Sequence, residues 1–488
     1  MSDLSLSSLA SALGIAADPR WAYRRAGSVV ADSRHVRPGY IYVAISGTKT
    51  DGALYIDDAL ARGAAAVVAD HVPPNLAADA CLLRVDNPRV ALSRLAAAFY
   101  PRQPQHVVAV TGTDGKTSTA DFFRQFAERL GHQAAAIGTL GLVGAHRAAL
   151  GEGTHTTPDA LSLHAMLQRL NDEGYTHVAM EASSHGLDQH RLDSVRLQAA
   201  AVTTITRDHL DYHRTPEAYF AAKARLFNEV LPEGAAAVLN ADDASFHALH
   251  GLCAHRSMRI FSYGKAGSHL HVESITPVPL GQEVALTVFG VKHRLTVKLV
   301  GPFQVYNILA ALGLLAGAGM DVQAAAELLP TLVSVPGRMQ RLGVHPHGAS
   351  IYIDYAHTPG ALATALRALR PHTHNRLVVV FGCGGNRDKG KRPEMGRIAA
   401  ELADAVIVTD DNPRHEDPAA IRAEILAGCP GAKAIADRRE AIYAALSMLL
   451  PGDVLLVAGK GHETTQIIGD TSYTFDDAAI IREAAGAS

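Results

Sequence analysis

The chain has 488 residues, enough for about three domains of ordinary size, so a single small module is excluded. Hydrophobic residues make up 48% of the chain and charged residues 19%, which excludes a largely disordered protein. Lys and Arg number 45 and Asp and Glu 48, a net charge of −3. This balance gives no electrostatic reason to expect a nucleic acid or an anionic membrane surface as partner.

The cysteines and the N-terminus indicate the compartment. The four cysteines lie far apart and form no Cys-x-x-Cys pair, so we expect neither a disulfide framework nor a zinc site. The N-terminus lacks a basic segment followed by an apolar run, and the longest uncharged apolar stretches are shorter than the ~20 residues of a membrane span. We therefore expect a cytoplasmic protein without a membrane-inserted segment.

The first hundred residues predict a small α/β domain. Residues 40–45 and 64–69 are apolar runs bounded by glycine or polar turns, as in short strands. Residues 100–104 contain two prolines, which hinder both helix and inner strand, and they predict a linker. We place this first domain at residues 1–102.

Two larger α/β domains are predicted to follow, a central one at residues 103–336 and a C-terminal, Rossmann-like one at 337–488. In the central domain we expect strands at 106–110, 177–180 and 200–204, helices at 117–130, 216–227 and 305–318, and an antiparallel patch at 274–300. In the C-terminal domain we expect strands at 350–354, 377–381, 405–409 and 454–458. The fold class is thus α/β with parallel sheets.

A glycine-rich loop follows the first predicted strand of the central domain, with the sequence Gly112-Thr-Asp-Gly-Lys-Thr117. Its glycines let backbone N–H groups approach phosphate oxygens, and the helix that follows adds a favourable dipole. Lys116 is placed to reach β- and γ-phosphates, and the Thr117 hydroxyl to bind Mg²⁺. The loop is two residues shorter than the usual Walker A pattern, yet it predicts a nucleotide site because it joins a strand to a helix. The reaction stays open at this point.

Two clusters of polar residues follow later strands of the central domain. Residues 180–191 begin with Glu181 at a strand end, where Mg²⁺ is commonly held, although an ordinary polar loop explains this residue equally well by itself. Residues 206–213 contain two carboxylates and two imidazoles, which is dense for a surface loop. Lys223 lies in the next helix, where the alternative interpretation is an exposed lysine whose stem covers apolar surface.

Three loops of the C-terminal domain also follow predicted strands, at residues 381–392, 410–414 and 459–463. Each could be a structural turn by itself. In a parallel sheet, however, such loops gather at the C-terminal edge of the strands, where ligands bind. We therefore predict a second binding site there.

At this point the sequence resembles a known family, the Mur ligases, and among them the members that add diaminopimelate. The resemblance covers essentially the whole chain in the right order. It rests on five motifs, which are Gly112-Thr-Asp-Gly-Lys-Thr117, Ser183-Ser-His-Gly186, Arg207-Asp-His-Leu-Asp-Tyr-His213, Asp354-Tyr-Ala-His-Thr-Pro359 and Asp411-Asn-Pro-Arg414. Asp114 stands where the family usually has asparagine.

The resemblance implies an ATP-dependent amide-forming ligase with Mg²⁺. The implied catalytic residues are Lys116, Glu181, His209 and Lys223. The implied metal ligands are Thr117, Glu181, His209 and a carbamate on Lys223. The implied ATP-binding residues are Thr111, Gly112, Thr113, Asp114, Gly115, Lys116, Thr117, Ser118, Asn307, Arg338, Asp354 and His357.

The resemblance also implies the two other substrates, UDP-N-acetylmuramoyl-L-alanyl-D-glutamate and meso-2,6-diaminopimelate. The residues implied to contact the UDP-sugar are Ser33, Thr48, Lys49, Thr50, Thr156, Thr157, Ser183, Gln189 and Arg191. The residues implied to contact diaminopimelate are Arg387, Asp411, Asn412, Pro413, Arg414, Gly459 and Glu463. The family further implies small-molecule partners alone, a monomer, an acyl-phosphate intermediate and a place in peptidoglycan precursor synthesis.

Three alternatives remain at this stage. A lysine-adding member or a folylpolyglutamate synthase would share most of the motifs, but the Arg414 guanidinium favours an amino acid with a distal carboxylate. A nucleotide-dependent switch without ligase chemistry would explain the phosphate loop. The joint presence of Glu181, His209 and Lys223 argues against it.

Overall fold

The computed structural model describes residues 3–47, 50–72, 76, 79–144 and 155–485. The chain divides into two compact units, residues 1–271 with 307–325, and residues 272–306 with 326–488. Strands and helices alternate in both units, which confirms the predicted α/β class. Within these described ranges, none of the helices is both long and apolar enough to cross a membrane.

The first unit begins with a four-stranded parallel sheet. Its strands lie in chain order, Ser28–Val30, Tyr40–Val43, Ala66–Ala69 and Leu82–Arg84. Helices Leu6–Leu13 and Pro88–Phe99 bury their apolar residues on one face of this sheet, and helix Ile56–Ala61 does so on the other. Both predicted strands are confirmed, although the first ends two residues early and the second begins two residues late. A pair of two-residue strands, Leu4–Ser5 and Arg25–Ala26, precedes the strands of this sheet in the chain.

A second, larger sheet of the first unit carries the phosphate loop. Seven of its ten strands lie wholly in the first unit, side by side in the order Arg259–Gly264, Ala236–Asn240, Ala199–Val202, His106–Thr111, His177–Glu181, Ala134–Gly138 and Gly141–Val143. All these neighbours are parallel except the last pair. Because the strands are parallel and His106–Thr111 is central, the loops after three neighbouring strands meet at one edge.

Helices of the first unit connect these strands. They are Lys116–Arg129, Ala160–Asp172, Ser184–Asp188, Leu210–His213, Pro216–Arg225 and Phe246–His255. The helix Pro302–Gly317 runs from the second unit into the first, and Val322–Glu327 follows it. The predicted helix 216–227 is confirmed as far as Arg225, after which Leu226–Val230 form a π-helical turn. The predicted helix 305–318 begins earlier, at Pro302, because proline fits the first helical turn.

The second unit is built on a six-stranded sheet. Its strands lie in the order Gln340–Val344, Ser350–Asp354, Val454–Ala458, Leu377–Phe381, Ala405–Val408 and Lys433–Ala434, and only the first pair is antiparallel. Helices Pro359–Leu369, Lys391–Leu402 and Pro418–Leu426 pack on one face, and Arg438–Ser447 and Asp477–Ala485 on the other. The four predicted strands are confirmed.

Two hairpins complete this unit. Gly281–Val288 pairs antiparallel with Val291–Val297, which confirms the antiparallel patch predicted there, and strand Leu270–Val278 precedes them. The other hairpin, Thr465–Ile468 with Thr471–Thr474, follows the last strand of the six-stranded sheet.

Candidate functional site

The predicted phosphate loop has the backbone that its glycines allow. Gly112 and Gly115 have φ values of 148° and 87°, and a Cβ on Gly112 would lie 1.9 Å from Thr203 Oγ1. Lys116 Nζ folds back over the loop and donates to the carbonyls of Gly112 (2.9 Å) and Thr113 (2.8 Å). Asp114, the departure from the family pattern, is exposed. Its carboxylate therefore has solvent access beside the loop.

Lys223 is a buried lysine that faces this loop. Its residue is 2% exposed, and Nζ donates to the carbonyl of Gly112 at 2.6 Å. The same Nζ lies 4.6 Å from the centre of the Tyr219 ring, whose hydroxyl is 3.0 Å from Thr113 Oγ1. Burial, reinforced by the Lys116 ammonium, lowers the pKa of Lys223 well below its ordinary value. The interpretation of Lys223 as a surface lysine is wrong, and its neutral amine is the form that reacts with CO₂.

Glu181 and Thr117 lie together at a small cavity of about 10 Å³, the size of one water or one small cation. Both residues are buried, Glu181 at 2% exposure. One carboxylate and one hydroxyl, completed by phosphate oxygens and water, form a donor set that Mg²⁺ uses. The described residues contain no cluster of three or more His, Cys, Asp or Glu suited to a metal. Thr117 and Glu181 fit a magnesium ion that arrives with a nucleotide, because the phosphate oxygens would supply further ligands.

His209 is not among the residues that line that cavity. Its side chain is 48% exposed, its Nε2 is 3.4 Å from Asp208 Oδ2, and its ring centre is 4.9 Å from that of His185. The Tyr219 ring, 6.3 Å away, is a neighbour that His209 shares with Lys223. Of the four predicted catalytic residues, Lys116 and Lys223 thus share the Gly112 carbonyl, Lys223 and His209 share the Tyr219 ring, and Glu181 lines the cavity with Thr117.

Four of the residues predicted for the UDP-sugar form a hydrogen-bonded set, which consists of Thr157 and three residues of the segment after strand His177–Glu181. Thr157 Oγ1 lies 3.0 Å from Ser183 Oγ, and Arg191 donates to the carbonyl of Thr157 at 2.6 Å and to Gln189 Oε1 at 2.7 Å. Ser33 is buried near the start of the chain, and Thr50 is exposed. Of the other three predicted contacts, Thr156 Oγ1 lies 3.2 Å from Thr139 Oγ1, and Thr48 and Lys49 lie outside the described residues.

The residues predicted around the nucleotide base and ribose occur in both units. Asn307 packs against the phosphate loop, since a Cβ on Gly115 would lie 2.3 Å from its Oδ1. In the second unit the Arg338 guanidinium stacks 4.6 Å from the centre of the Tyr355 ring. Asp354 Oδ2 accepts a hydrogen bond from the Met339 N–H at 2.6 Å, and His357 Nδ1 lies 2.7 Å from the carbonyl of Tyr355.

The three predicted loops of the second unit do gather at one sheet edge. Asn412 Nδ2 donates to Glu463 Oε2 at 2.9 Å, and a Cβ on Gly459 would lie 2.8 Å from Asp411 Oδ2. Arg414 has a φ of 52° and donates to the carbonyl of Gly385 at 2.9 Å.

Gly384 is a point of close contact between two of these loops, residues 381–392 and 410–414. A Cβ on Gly384 would lie 2.8 Å from Arg414 Nη1 and 3.8 Å from Arg387 Cγ, so it packs against both guanidinium-bearing residues. The next glycine, Gly385, packs equally closely against Pro413, because a Cβ on Gly385 would lie 1.9 Å from the Pro413 carbonyl oxygen. Every residue predicted for diaminopimelate therefore belongs to this loop cluster.

Sequence reasoning missed several residues that hold these groups. Thr139 bonds to Glu181, Thr203 supports the phosphate loop, and Lys460 is fully buried between Asn412 and Glu463. Lys460 lies inside the Gly459–Glu463 motif, so the signal for it was present. Thr139 follows a strand end, but nothing local marks it as a partner of Glu181.

Three family models match the chain in order. They are described as "Mur ligase family, catalytic domain" (residues 27–100), "Mur ligase middle domain" (110–315) and "Mur ligase, glutamate ligase domain" (337–461). A curated relative from Caulobacter vibrioides, named UDP-N-acetylmuramoyl-L-alanyl-D-glutamate--2,6-diaminopimelate ligase, is 50% identical over 92% of this chain and 93% of its own length.

Two solved structures agree with these matches. A ligase of the same name is 34% identical, with a TM-score of 0.73, and covers 100% of this chain and 99% of that one. A MurF ligase from Thermotoga maritima in complex with ADP is 21% identical, with a TM-score of 0.61, and covers 94% of this chain and 96% of its own. The second likeness shows a shared fold.

The chain therefore belongs to the Mur ligase family, whose members are ATP-dependent ligases that form a peptide bond. The predicted three-domain α/β architecture is confirmed by these matches. The roles of individual site residues and the domain limits at 102 and 336 stay predictions.

Proposed function

We propose that this ligase joins meso-2,6-diaminopimelate to UDP-N-acetylmuramoyl-L-alanyl-D-glutamate with ATP, in the synthesis of a peptidoglycan precursor. The proposal depends most on one observation, the convergence of Lys116 and Lys223 on the Gly112 carbonyl of the phosphate loop. A nucleotide switch needs the loop but not a second, buried amine beside it. The name of the 50% identical relative supports the substrate assignment.

The reaction needs an activated carboxylate. The D-glutamate carboxylate is a poor acyl donor, so the γ-phosphoryl group of ATP is first transferred to it, giving an acyl phosphate and ADP. The free amine of diaminopimelate then attacks the acyl carbon, and phosphate leaves as the amide bond forms. In this scheme Lys116 leaves its loop carbonyls and balances the negative charge on the transferring phosphoryl group.

We assign magnesium binding to Thr117, Glu181 and His209, with a carbamate on Lys223 helping to position a second magnesium ion. When bound, Mg²⁺ neutralises charge on the phosphate oxygens. The protein's part is to hold the ligands. Burial lowers the pKa of Lys223 and so favours the neutral amine, the form that takes up CO₂, and Gly112 and Tyr219 fix the position of this amine.

We assign the remaining predicted residues to the three substrates as the family resemblance implies. Residues 111–118 with Asn307, Arg338, Asp354 and His357 bind ATP. The UDP-sugar contacts Ser33, Thr48, Lys49, Thr50, Thr156, Thr157, Ser183, Gln189 and Arg191. Diaminopimelate contacts Arg387, Asp411, Asn412, Pro413, Arg414, Gly459 and Glu463. The three domains are residues 1–102, 103–336 and 337–488.

Arg414 is the residue that we expect to select the amino acid. Its backbone bond to Ile467 and its bond to Gly385 hold the guanidinium in place, and a planar guanidinium pairs with a distal carboxylate that lysine lacks. An unpaired polar site of this kind discriminates by about 10⁴-fold, so lysine should be a poor substrate.

The test is a phosphate-release assay with UDP-N-acetylmuramoyl-L-alanyl-D-glutamate, ATP and either meso-diaminopimelate or lysine. We expect release with diaminopimelate, and loss of the preference over lysine in Arg414→Ala. Arg397→Ala, which removes an exposed arginine paired with Glu401, should keep the preference. Folded wild-type protein that releases no phosphate with diaminopimelate would contradict the proposed function.

We also propose that the enzyme works as a monomer in the cytoplasm, where ATP is available. All four cysteines, each within the described ranges, are buried free thiols, as a reducing compartment permits. Light scattering of the purified protein near 51.6 kDa would support the monomer, and a mass of twice that value would contradict it.

A further inference from the structure

Thr139 holds both carboxylate oxygens of Glu181. Its backbone N–H donates to Glu181 Oε1 at 2.8 Å, and its hydroxyl donates to Glu181 Oε2 at 3.2 Å. The preceding residue, Gly138, leaves room for this contact, because a Cβ there would lie 2.0 Å from Oε1. Two donors from one residue fix the plane of the carboxylate. The direction in which Glu181 presents its remaining lone pairs to the cavity with Thr117 therefore depends on Thr139.

The same hydroxyl also contacts the residues assigned to the sugar substrate. Thr139 Oγ1 lies 3.2 Å from Thr156 Oγ1. Next to it, Thr157 Oγ1 donates to the backbone carbonyl of Glu181 at 2.8 Å and accepts from the Ser183 N–H at 3.0 Å. The Glu181 side chain thus lines the cavity with Thr117 of the nucleotide loop, the Glu181 backbone carbonyl is bonded to Thr157, and Thr156 reaches the Glu181 carboxylate through Thr139.

The direction of these hydrogen bonds follows from the number of protons. A carboxylate accepts only, so the single hydroxyl proton of Thr139 is donated to Glu181. Towards Thr156, Thr139 must therefore accept, and the proton of Thr156 is donated to it. Thr156 is half-buried and keeps acceptor lone pairs for a donor from outside this chain of bonds. A donor bound there strengthens each bond behind it by polarisation.

We infer that Thr139 is a positioning residue that couples binding of the sugar-nucleotide substrate to metal binding at Glu181. Hydroxyl or amide N–H groups of the substrate donate to Thr156, Thr156 donates to Thr139, and Thr139 orients the Glu181 carboxylate. Substrate binding then increases the affinity for the metal, so that the negative charge of the nucleotide is balanced better when the acceptor carboxylate is also bound. The inference rests on the proposed function for the identity of the substrate.

Two substitutions separate the hydroxyl from the backbone contact. Thr139→Val keeps the shape and the N–H bond to Glu181 but removes the hydroxyl, whereas Thr139→Ser keeps both donors. Thr176→Val is a matched control. The Thr176 hydroxyl that it removes also donates to a neighbouring segment, at the carbonyl of Gln133, but it lies at the opposite end of the strands from Glu181. Melting curves show that each variant is folded. The probe is Mn²⁺ in place of Mg²⁺, its binding measured by electron paramagnetic resonance on protein saturated with ADP.

In the wild type, UDP-N-acetylmuramoyl-L-alanyl-D-glutamate should tighten Mn²⁺ binding by about fivefold or more. Thr139→Val should weaken Mn²⁺ about tenfold and abolish the effect of the substrate, because a lost outer partner of a metal ligand costs about 10- to 100-fold. Thr139→Ser and Thr176→Val should behave as wild type.

The inference would be overturned if Thr139→Val bound Mn²⁺ with the affinity of the wild type and showed the same effect of the substrate. It would also be overturned if the Mn²⁺ affinity of the wild type did not change when the substrate was added. Failure of the proposed function has a different signature: the wild type would release no phosphate with diaminopimelate. The Mn²⁺ difference between Thr139→Val and Thr139→Ser, measured without the sugar nucleotide, would still decide whether Thr139 positions Glu181.

Discussion

At the scale of single residues, Lys223 is the side chain whose chemistry depends most on its surroundings. It is buried beside a second lysine, and both donate to one carbonyl. We predict that Lys223→Ala lowers the rate of phosphate release by about 100-fold, because the ligand that its carbamate supplies is lost. Acetate should restore part of the activity by occupying the vacated space as a carboxylate.

Lys265→Ala is the control for this experiment, because Lys265 is exposed and its loss should leave the rate unchanged. Full activity of Lys223→Ala without added acetate would remove the carbamate from the mechanism. Low activity that acetate does not improve would assign the lysine a purely structural role.

Lys460 is a second buried lysine, and it contacts two residues of the proposed diaminopimelate pocket. Its Nζ lies 3.1 Å from Asn412 Oδ1 and 3.4 Å from Glu463 Oε2, and the residue is 0% exposed. We predict that Lys460→Met raises the KM for diaminopimelate at least about tenfold, or ~1.4 kcal/mol, since the amide and carboxylate lose a charged donor. The KM for ATP should not change.

Steady-state kinetics with each substrate varied in turn measure this effect, and Lys433→Met, at an exposed lysine, is the control. A parallel rise in both KM values would show that Lys460 supports the domain generally, and would contradict a role confined to the pocket.

At the scale of elements, the helix Pro302–Gly317 packs so closely on the large sheet that its last residue must be glycine. A Cβ on Gly317 would lie 2.6 Å from Ala199 Cβ and 2.8 Å from Ala236 Cβ, and neither neighbour has a flexible end that could move. Alanine gains up to about 1 kcal/mol of helix propensity over glycine, but overpacking costs about 1–3 kcal/mol. We predict that Gly317→Ala lowers the melting temperature.

Gly251 allows the opposite experiment. It lies in helix Phe246–His255, and a Cβ there would meet nothing within 4 Å. Gly251→Ala should therefore raise the melting temperature, since alanine gains helix propensity over glycine and no overpacking opposes this gain. If both alanines stabilise the protein, the close approach of the helix at Gly317 is not a constraint.

These elements also show how much of the fold the sequence could predict. Strands Leu377–Phe381 and Val454–Ala458 are predicted at both bounds, because their continuous apolar runs end at glycine-containing turns. The helix of Lys223 was predicted two residues too long, since the π-turn after Arg225 depends on packing and leaves no local signal. Strand neighbours could not be predicted at all.

The same limit applies to the candidate site. The loops were predicted because each follows a strand and carries its own glycines or charges. Thr139 and Glu181 are 42 residues apart, and Lys460 and Asn412 are 48 apart. Such pairs depend on which strands are adjacent, so the residues that orient the site became visible only in the structure.

At the scale of the whole molecule, buried histidines make the stability of the first unit depend on pH, and two of them lie away from the phosphate loop. The phosphate loop and Glu181 follow the carboxyl ends of its strands, whereas His106 and His177 begin two of these strands and stack 4.4 Å apart at the other end. Burial, with His106 and His132 adding repulsion, lowers the pKa of His177 to about 4 from 6.5. Burial likewise lowers the pKa of His164 to about 4.

The sign of the pH effect follows from these depressed values. Between pH 6.5 and about 4 the unfolded chain binds these protons and the folded protein does not, so the free energy of unfolding falls as the pH is lowered through this window. Above pH 6.5 both states are neutral at these positions and the stability is fully present. Each unit of pKa difference is worth about 1.4 kcal/mol.

We predict that His177→Gln makes the stability of the first unit less dependent on pH. Removing one titrating group should reduce the slope of the unfolding free energy against pH by up to about 1.4 kcal/mol per pH unit between pH 4 and 6.5, even if glutamine lowers the stability at neutral pH. Urea unfolding across this range, compared with His255→Gln at an exposed helix end, measures the slope. A variant slope equal to that of the wild type would show that protonation of His177 does not control the acid unfolding of this sheet.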